Sequence, residues 1–380
     1  MQTYISTDQS WALWAVLFCA AAFGLWAERT GPGSRLSGAA VTLLCTFLLS
    51  NLNIIPSRAD TYDLVWHYLV PLAIPLLLVN ADLRRILIES GPTLLAFVIG
   101  AVTTVIGTLI AYSIVPLGSH DWQLAAVFSA SHIGSSINFT STARAVGLHD
   151  RQLLEAGIAV SQLLIIIYFM ILFSLPTLYR LRARFFERPD RHRLATEVIL
   201  RKESRTGERI NLPGITTAIA ISLIICSIAF EVEKRLGHPG SALLIITLAS
   251  IGMASLFKPL MKHLDGAMET GTLLMLILFA TIGASANITT ALKAGPALLS
   301  FAAIILIVHL LLILLIGKYA RLSLPEILIA SNAGIGSTAT AVGMAAARRW
   351  HALMVPAVLC GTLGYLSSDW IGKGIAQLLH

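Results

Sequence analysis

The stretch Ser131-His132-Ile133-Gly134-Ser135-Ser136-Ile137-Asn138, continuing through Thr140-Ser141-Thr142, interrupts an apolar segment covering residues 122–147. A second stretch, Ser331-Asn332-Ala333-Gly334-Ile335-Gly336-Ser337-Thr338, interrupts the segment 323–347. Almost everything around them is apolar. The 380 residues are 56% hydrophobic and 12% charged, with a mean hydropathy of +0.79, far outside the range of water-soluble domains. Several runs are about 20 residues long, enough to cross roughly 30 Å of hydrocarbon. Lipid is therefore the solvent, and polar, glycine-rich backbone survives at membrane depth only where protein buries it or a cavity adjoins it.

Working outward, the apolar segments lie near residues 10–27, 37–55, 66–80, 92–117, 122–147 and 152–179. An arginine-rich stretch from Arg180 to Asn211 follows, with no run able to span. Segments near 212–230, 240–257, 271–286, 294–317, 323–347 and 352–378 then repeat the order and lengths of the first set. Motifs repeat as well. Ser131-His132-Ile133-Gly134 followed by Ala143-Arg144-Ala145-Val146-Gly147 resembles Ser331-Asn332-Ala333-Gly334 followed by Ala339-Thr340-Ala341-Val342-Gly343. Gly91-Pro92 after a polar turn corresponds to Gly295-Pro296 after another. Two motifs in the same order indicate duplication: a first repeat over 1–180, a basic linker over 181–211 and a second repeat over 212–380.

Charge decides the orientation. With the basic linker in the cytoplasm and six full crossings per half, Arg84, Arg85 and Arg151 fall outside, against the positive-inside rule. If the fifth segment of each half enters and leaves on one side, Arg29, Arg35, Arg84, Arg85, Lys258, Lys262, Lys318, Arg321, Arg348 and Arg349 all fall inside. The sequence thus predicts an all-α polytopic membrane protein of two inverted repeats. Each repeat has five transmembrane helices plus one re-entrant or broken-helix hairpin, making ten crossings in a bacterial inner membrane with the N-terminus periplasmic. The opening MQTYISTDQS lacks a basic region and a cleavage site, so the first run reads as a retained span. The net charge of +7 belongs to membrane-flanking loops and implies no nucleic-acid partner. Cys19, Cys45, Cys226 and Cys360 lie in apolar runs without paired spacing and read as packing residues.

The two tips are the candidate site. Half-helix N-termini direct N–H groups at an anion, while carbonyl, amide and hydroxyl oxygens can replace the hydration shell of Na⁺. The candidate substrate-binding residues are Ser131, His132, Ser135, Ser136, Asn138 and Arg144 in the first repeat, and Ser331, Asn332, Gly336, Ser337 and Thr338 in the second. Ion ligands are sought in Asn138, Asn332, Asn287 and Asp82, the last two occupying similar places after the third segment of each half. Small and hydroxyl residues also serve helix packing; recurrence of the pattern in both halves favours a site. His132 stands in a tip, where an imidazole can donate to substrate or respond to pH. Arg144 either pairs with a substrate carboxylate or reaches the interface. His309, alone in a leucine-rich span, reads as a neutral packing histidine, and Asp369 is left open as a residue near the end of the last span.

No Walker A loop, His-Glu-x-x-His, Cys-x-x-Cys or deep carboxylate pair is present in the sequence, so no enzyme chemistry and no cofactor are expected. An ion gradient, of Na⁺ or H⁺, is the expected energy source.

The chain resembles the membrane proteins classed as domain of unknown function 819 over nearly its whole length. The likeness rests on Val70-Pro71-Leu72-Ala73-Ile74-Pro75-Leu76-Leu77-Leu78 with Ala81-Asp82-Leu83-Arg84, on Ser131 to Asn138, on Phe279-Ala280-Thr281-Ile282-Gly283-Ala284-Ser285-Ala286-Asn287, and on Ala330 to Gly336. It departs in reading Gly-Ser-Ser-Ile-Asn at the first tip, where the family more often has Gly-Gly-Ser-Val-Asn. The family is similar to the wider cation:proton antiporter and anion transporter superfamily, including 2-hydroxycarboxylate and glutamate:sodium symporters. That resemblance implies inverted repeats, Na⁺ coupling, elevator-like movement and a homodimer. The resulting expectation is an ion-coupled carrier of a small organic anion or amino acid. A cation/proton antiporter is the first alternative, and a non-transporting receptor or scaffold the second.

Overall fold

The structure, a computed structural model, describes residues 3–30, 37–81, 83–135, 137–186, 211–237, 241–261 and 263–380, and of residues 83–89 and 137 the backbone alone. Most of the basic linker, together with Asp82 and Ser136, lies outside them. Every regular element among the described residues is helical.

The first helices, Ser10–Glu28 (α1) and Gly38–Asn51 (α2), cross where Gly24 meets Gly38; a Cβ on Gly24 would overlap Thr42 Oγ1 and the Gly38 carbonyl. Glu28 accepts from Gly38 N at 2.9 Å, and the Ser37 side chain accepts from Ala40 N, so α2 is capped twice. The next helix, α3, occupies residues 60–77 and is built from Asp60–Leu64, a π-helical turn Val65–Leu69, and Val70–Leu77. The π turn directly precedes Pro71, whose missing N–H leaves the His67 carbonyl without its helical partner. The half is completed by Leu83–Ile114 (α4), Asp121–Gly134 (α5), Ile137–Ala145 (α6) and Arg151–Ser174 (α7).

The second half repeats this order with Leu212–Leu236 (α8), Ala242–Leu256 (α9), Ala267–Ser285 (α10), Pro296–Tyr319 (α11), Leu324–Ile335 (α12), Thr338–Ala347 (α13) and Met354–Leu379 (α14). The halves interleave. α4 lies along α11 and α3 along α10, while α2 packs on α10 as α9 packs on α3, and α1 touches α10 as α8 touches α3. At Gly107 the approach of α4 to α11 is so close that a Cβ would stand 2.9 Å from the Ile305 carbonyl.

Seven described helices are long and apolar enough to cross a membrane: α1, Ser90–Ile114 of α4, Arg151–Thr177 around α7, α8, α10, α11, and His351–Leu379 around α14. The ten crossings expected from hydropathy are not all full-length helices. With 14 and 15 residues, α2 and α9 extend only about 21–23 Å, and the π turn breaks α3. On α11 the stripe Ile307, Leu311 and Leu315 is 57%, 63% and 51% exposed; such a stripe suits lipid and would be a liability in water. The chain is a multi-pass membrane protein.

The fifth segment of each half is a hairpin of two short helices. Gln123 Nε2, in the first turn of α5, donates to the carbonyl of Val146, just past α6, at 3.1 Å. A continuous helix would part those residues by about 35 Å at 1.5 Å per residue. In the second half, Asn332 Oδ1 accepts from Thr340 Oγ1 at 2.7 Å and its Nδ2 lies 3.2 Å from Met344 Sδ.

Candidate functional site: a cavity between two hairpin tips

Each tip is made by a local backbone device. In the first, Ser135 follows Gly134 with φ 87 and ψ 167, a region that glycine alone occupies readily. In the second, Ser337 adopts extended backbone and caps α13 reciprocally: its Oγ accepts from Thr340 N at 3.2 Å, while Thr340 Oγ1 accepts from Ser337 N at 2.8 Å. Ser337 thus takes up the Thr340 N–H, while the α13 N-terminus itself adjoins the cavity described below.

The tips meet. A Cβ on Gly334 would lie 3.5 Å from the His132 carbonyl and 3.6 Å from that of Ile133, so the backbones of α12 and α5 come almost into contact. The last helix crosses both hairpins with a stripe of small residues: Gly361 abuts Thr338, Gly364 abuts the Ile133 carbonyl, Ser368 abuts Gly134, and Gly372 abuts Thr142. Side chains at those glycines would push α14 away from the tips.

A cavity of about 810 Å³ lies against this junction. Gly134 and Ser135 line it from one tip and Ser337, Thr338 and Ala339 from the other; Gly361, Thr362 and Tyr365 come from α14, and Phe230 and Glu233 from α8. The remaining wall is α9, with Ala242 and Leu243, and α3, which contributes Asp60 and Asp63 and, through its π turn, Trp66, His67 and Tyr68. Its charged lining is acidic: Asp60, Asp63 and Glu233, without a lysine or arginine among the described residues. Behind the tips a second cavity of about 390 Å³ is lined by Gln162, Phe169, Ser285, Gly336 and Thr340. Both cavities share Trp66, Ser135 and Ser337, so they adjoin at those residues.

Under the second tip runs a buried hydrogen-bonded chain. Tyr168 Oη is 2.5 Å from Ser331 Oγ, which is 2.9 Å from His309 Nε2; His309 Nδ1 is 2.8 Å from Thr104 Oγ1 and 3.1 Å from the Gly100 carbonyl. A carbonyl only accepts, so a neutral His309 protonated at Nδ1 satisfies every member: Tyr168 donates to Ser331, Ser331 to Nε2, and Nδ1–H to Gly100. The sequence reading of His309 as a hydrogen-bonded packing residue agrees with this arrangement.

The expected site residues divide into groups. Ser135, Ser337 and Thr338 line the main cavity and Gly336 the second, whereas Ser331 and Asn332 are buried beneath the tip and tie α12 to its neighbours. His132 is 1% exposed, and neither ring nitrogen finds a partner among the described residues. Ser131 is likewise buried, with its hydroxyl unpartnered there. Arg144 is exposed in the last turn of α6, at the base of the hairpin, and lines neither tip cavity. Its expected pairing with substrate is not supported, because the hairpin fold carries it away from the tip. Asn287 caps the short helix Ile288–Lys293 by accepting from Thr290 N at 2.9 Å, and it borders a different cavity alongside Arg58 and Lys293. It does not join the tip residues. Asp82 and Ser136 lie outside the described residues.

Sequence reasoning missed the acidic wall and left the role of Asp369 open. Asp60 and Asp63 stand ahead of the third apolar segment, and a helix beginning at Asp60 places both in the lining of the tip cavity. Asp369 lies well inside α14 and meets Asn138, Ser141 and Thr142 of the first hairpin. Its signal was present: Asp369 falls inside the candidate span His351–Leu379, and α14 runs on for ten residues beyond it with Lys373 and Gln377 among them.

Seven full-length apolar helices, with two hairpins docked tip to tip beside a shared cavity, define a transporter-like polytopic membrane protein. The chain belongs to the family described as protein of unknown function DUF819, which matches residues 15–380. It is similar to the uncharacterized membrane protein YjcL of Bacillus subtilis (strain 168), at 31% identity over 395 residues that cover 98% of this chain and 97% of the relative.

Proposed function

We propose that the chain is an ion-coupled secondary transporter whose solute occupies the cavity between the hairpin tips. The observation that carries this reading is the pair of adjoining cavities at the tip junction, which share Trp66, Ser135 and Ser337. Small movements of the tips relative to α3 would open one cavity and close the other, which is what alternating access requires. The exchange of contacts between halves, α1 and α2 on α10, α8 and α9 on α3, is the pattern that inverted repeats produce. In this reading the hairpins are re-entrant, the N-terminus is periplasmic, the basic linker faces the cytoplasm of a bacterial inner membrane, and the α1–α3 and α8–α10 set is the scaffold of a homodimer.

The lining refines the solute. A bare organic anion would face Asp60, Asp63 and Glu233 without a lysine or arginine to offset them. An amino acid fits better. Its carboxylate can take the free N–H groups at the start of α13, beside Ser337, Thr338 and Ala339, and its ammonium can turn to the acidic wall. The same wall gives the cation/proton antiporter a specific observation in its favour.

Purified protein in proteoliposomes separates the two readings. The amino-acid reading expects uptake of one or more labelled amino acids, driven by an inward Na⁺ or H⁺ gradient and lowered in Asp63→Asn. Cation flux driven by a pH step, without any organic solute, replaces it with the antiporter. Absence of both fluxes sinks the transporter assignment.

A further inference from the structure

Asp369 is the one intramembrane carboxylate bonded to the first hairpin among the described residues, and its partners have more chemistry than they use. Ser141 Oγ donates to Asp369 Oδ2 at 2.5 Å; Thr142 Oγ1 and Asn138 Nδ2 donate to Oδ1 at 2.7 and 3.2 Å. The same Asn138 amide nitrogen reaches the Tyr365 carbonyl at 3.2 Å. Asn138 is 2% exposed, and its Oδ1 has no partner among the described residues. The amide is held at the carboxylate by its nitrogen while its oxygen remains available there.

We propose that Asp369, Asn138, Ser141 and Thr142 form a binding site for a small monovalent cation, and that Na⁺ occupies it. Each hydroxyl spends its proton on Asp369 and keeps oxygen lone pairs for a cation. The carboxylate and the two hydroxyls meet at one place, and Asn138, bonded to the carboxylate through its nitrogen, brings an unpartnered buried amide oxygen beside them. The donors are all oxygen, which excludes the softer transition metals, and a single carboxylate is poor in charge for Ca²⁺ or Mg²⁺. No lysine or arginine pairs with Asp369 among the described residues. Lys373, one turn further on α14, places its Nζ 5.4 Å from the centre of the Trp370 ring, and Arg144, on the packed face's own helix α6, is exposed. A carboxylate in this setting without a basic partner is a functional group more often than a structural one.

The position links the cation to the solute. Tyr365, whose carbonyl holds Asn138, also lines the main cavity, and Asn138 lies at the start of α6, three residues after Ser135. A cation that fixes α6 against α14 therefore fixes the tip that borders the solute. This coupling role rests on the transporter reading; binding itself does not.

The test is thermal unfolding of the purified full chain in detergent, titrated with NaCl against choline chloride at constant ionic strength and without solute. The wild type is expected to rise by at least about 2 °C in Tm specifically with Na⁺. D369N, which keeps the side-chain volume, is expected to lose that Na⁺ response. S141A/T142V, which keeps the charge, is expected to shift the half-maximal Na⁺ concentration upward by roughly tenfold or more, about the effect of losing 1.4 kcal/mol of binding. A carboxylate that merely tethers α6 to α14 would change the starting Tm of both variants and leave the Na⁺ dependence unchanged, which overturns the proposal. It is equally overturned if wild-type protein responds to choline as to Na⁺, or to neither. Na⁺ binding through Asp369 in a protein that moves no solute would discard the transporter reading and leave the cation site standing.

Discussion

Replacing Ser331 with alanine cuts the buried chain at its middle. Ser331 is 1% exposed and bonds both Tyr168 and His309, so the substitution removes two contacts between helices and leaves two polar groups with no access to water. Hydrogen bonds between membrane helices contribute about 0.6 kcal/mol on average and up to roughly 1.7, which puts the loss between about 1 and 3 kcal/mol. The stranded Tyr168 hydroxyl and His309 Nε2 push the result toward the upper end. Tyr168→Phe removes one bond and its donor together, leaving Ser331 on His309, and is expected to cost only about 0.6 kcal/mol. Because the chain is already cut in S331A, adding Y168F should cost little more. Reversible unfolding in mixed detergent micelles, run as a double-mutant cycle, measures all three values. The reasoning fails if S331A is no more destabilising than Y168F, or if the two changes simply add.

Three further expectations follow from close contacts and backbone geometry. On α14, Gly364→Ala should destabilise by about 1–3 kcal/mol, because its Cβ would overlap the Ile133 carbonyl, whereas Gly374→Ala meets nothing within 4 Å and should be neutral or slightly stabilising; thermal unfolding of the pair distinguishes them. Ser135→Gly should raise Tm, since glycine accepts φ 87 without the roughly 1 kcal/mol or more that a side chain pays there, and Ser135→Val should lower it. Gln123→Leu removes the bond that closes the base of the first hairpin; it should cost about 0.5–1.5 kcal/mol and speed limited proteolysis near Val146.

Much of the architecture was legible because lipid imposes a rule on sequence. Spans must be long and apolar, so hydropathy located the segments that carry α1–α14, though not the short helix Ile288–Lys293, and Ser131–Asn138 and Ser331–Thr338 stood out as the two places where that rule was broken. Positive-inside charge pointed to hairpins there, and the Gln123–Val146 bond agrees. Helix length escaped because hydropathy reads composition and not the π turn before Pro71 or the early ends of α2 and α9.

The sequence by itself determined the solvent, the order of apolar segments and the two tips, since each follows from residue type along the chain. Only the tertiary structure decided what faces the tips. Asp60, Asp63 and Glu233 come from helices that are distant in the chain, and Asp369 from a helix more than two hundred residues after Asn138. Interleaved packing brings the acidic residues to the cavity, and backbone approaches at Gly361 and Gly364 dock α14, with Asp369, against the hairpins. The same packing removed Arg144 and Asn287 from the site, because a hairpin separates its base from its tip and a helix cap uses its asparagine oxygen locally. Periodicity and motif carry no information on which helix faces will meet, and that is where the acidic wall and the Asp369 cluster arose.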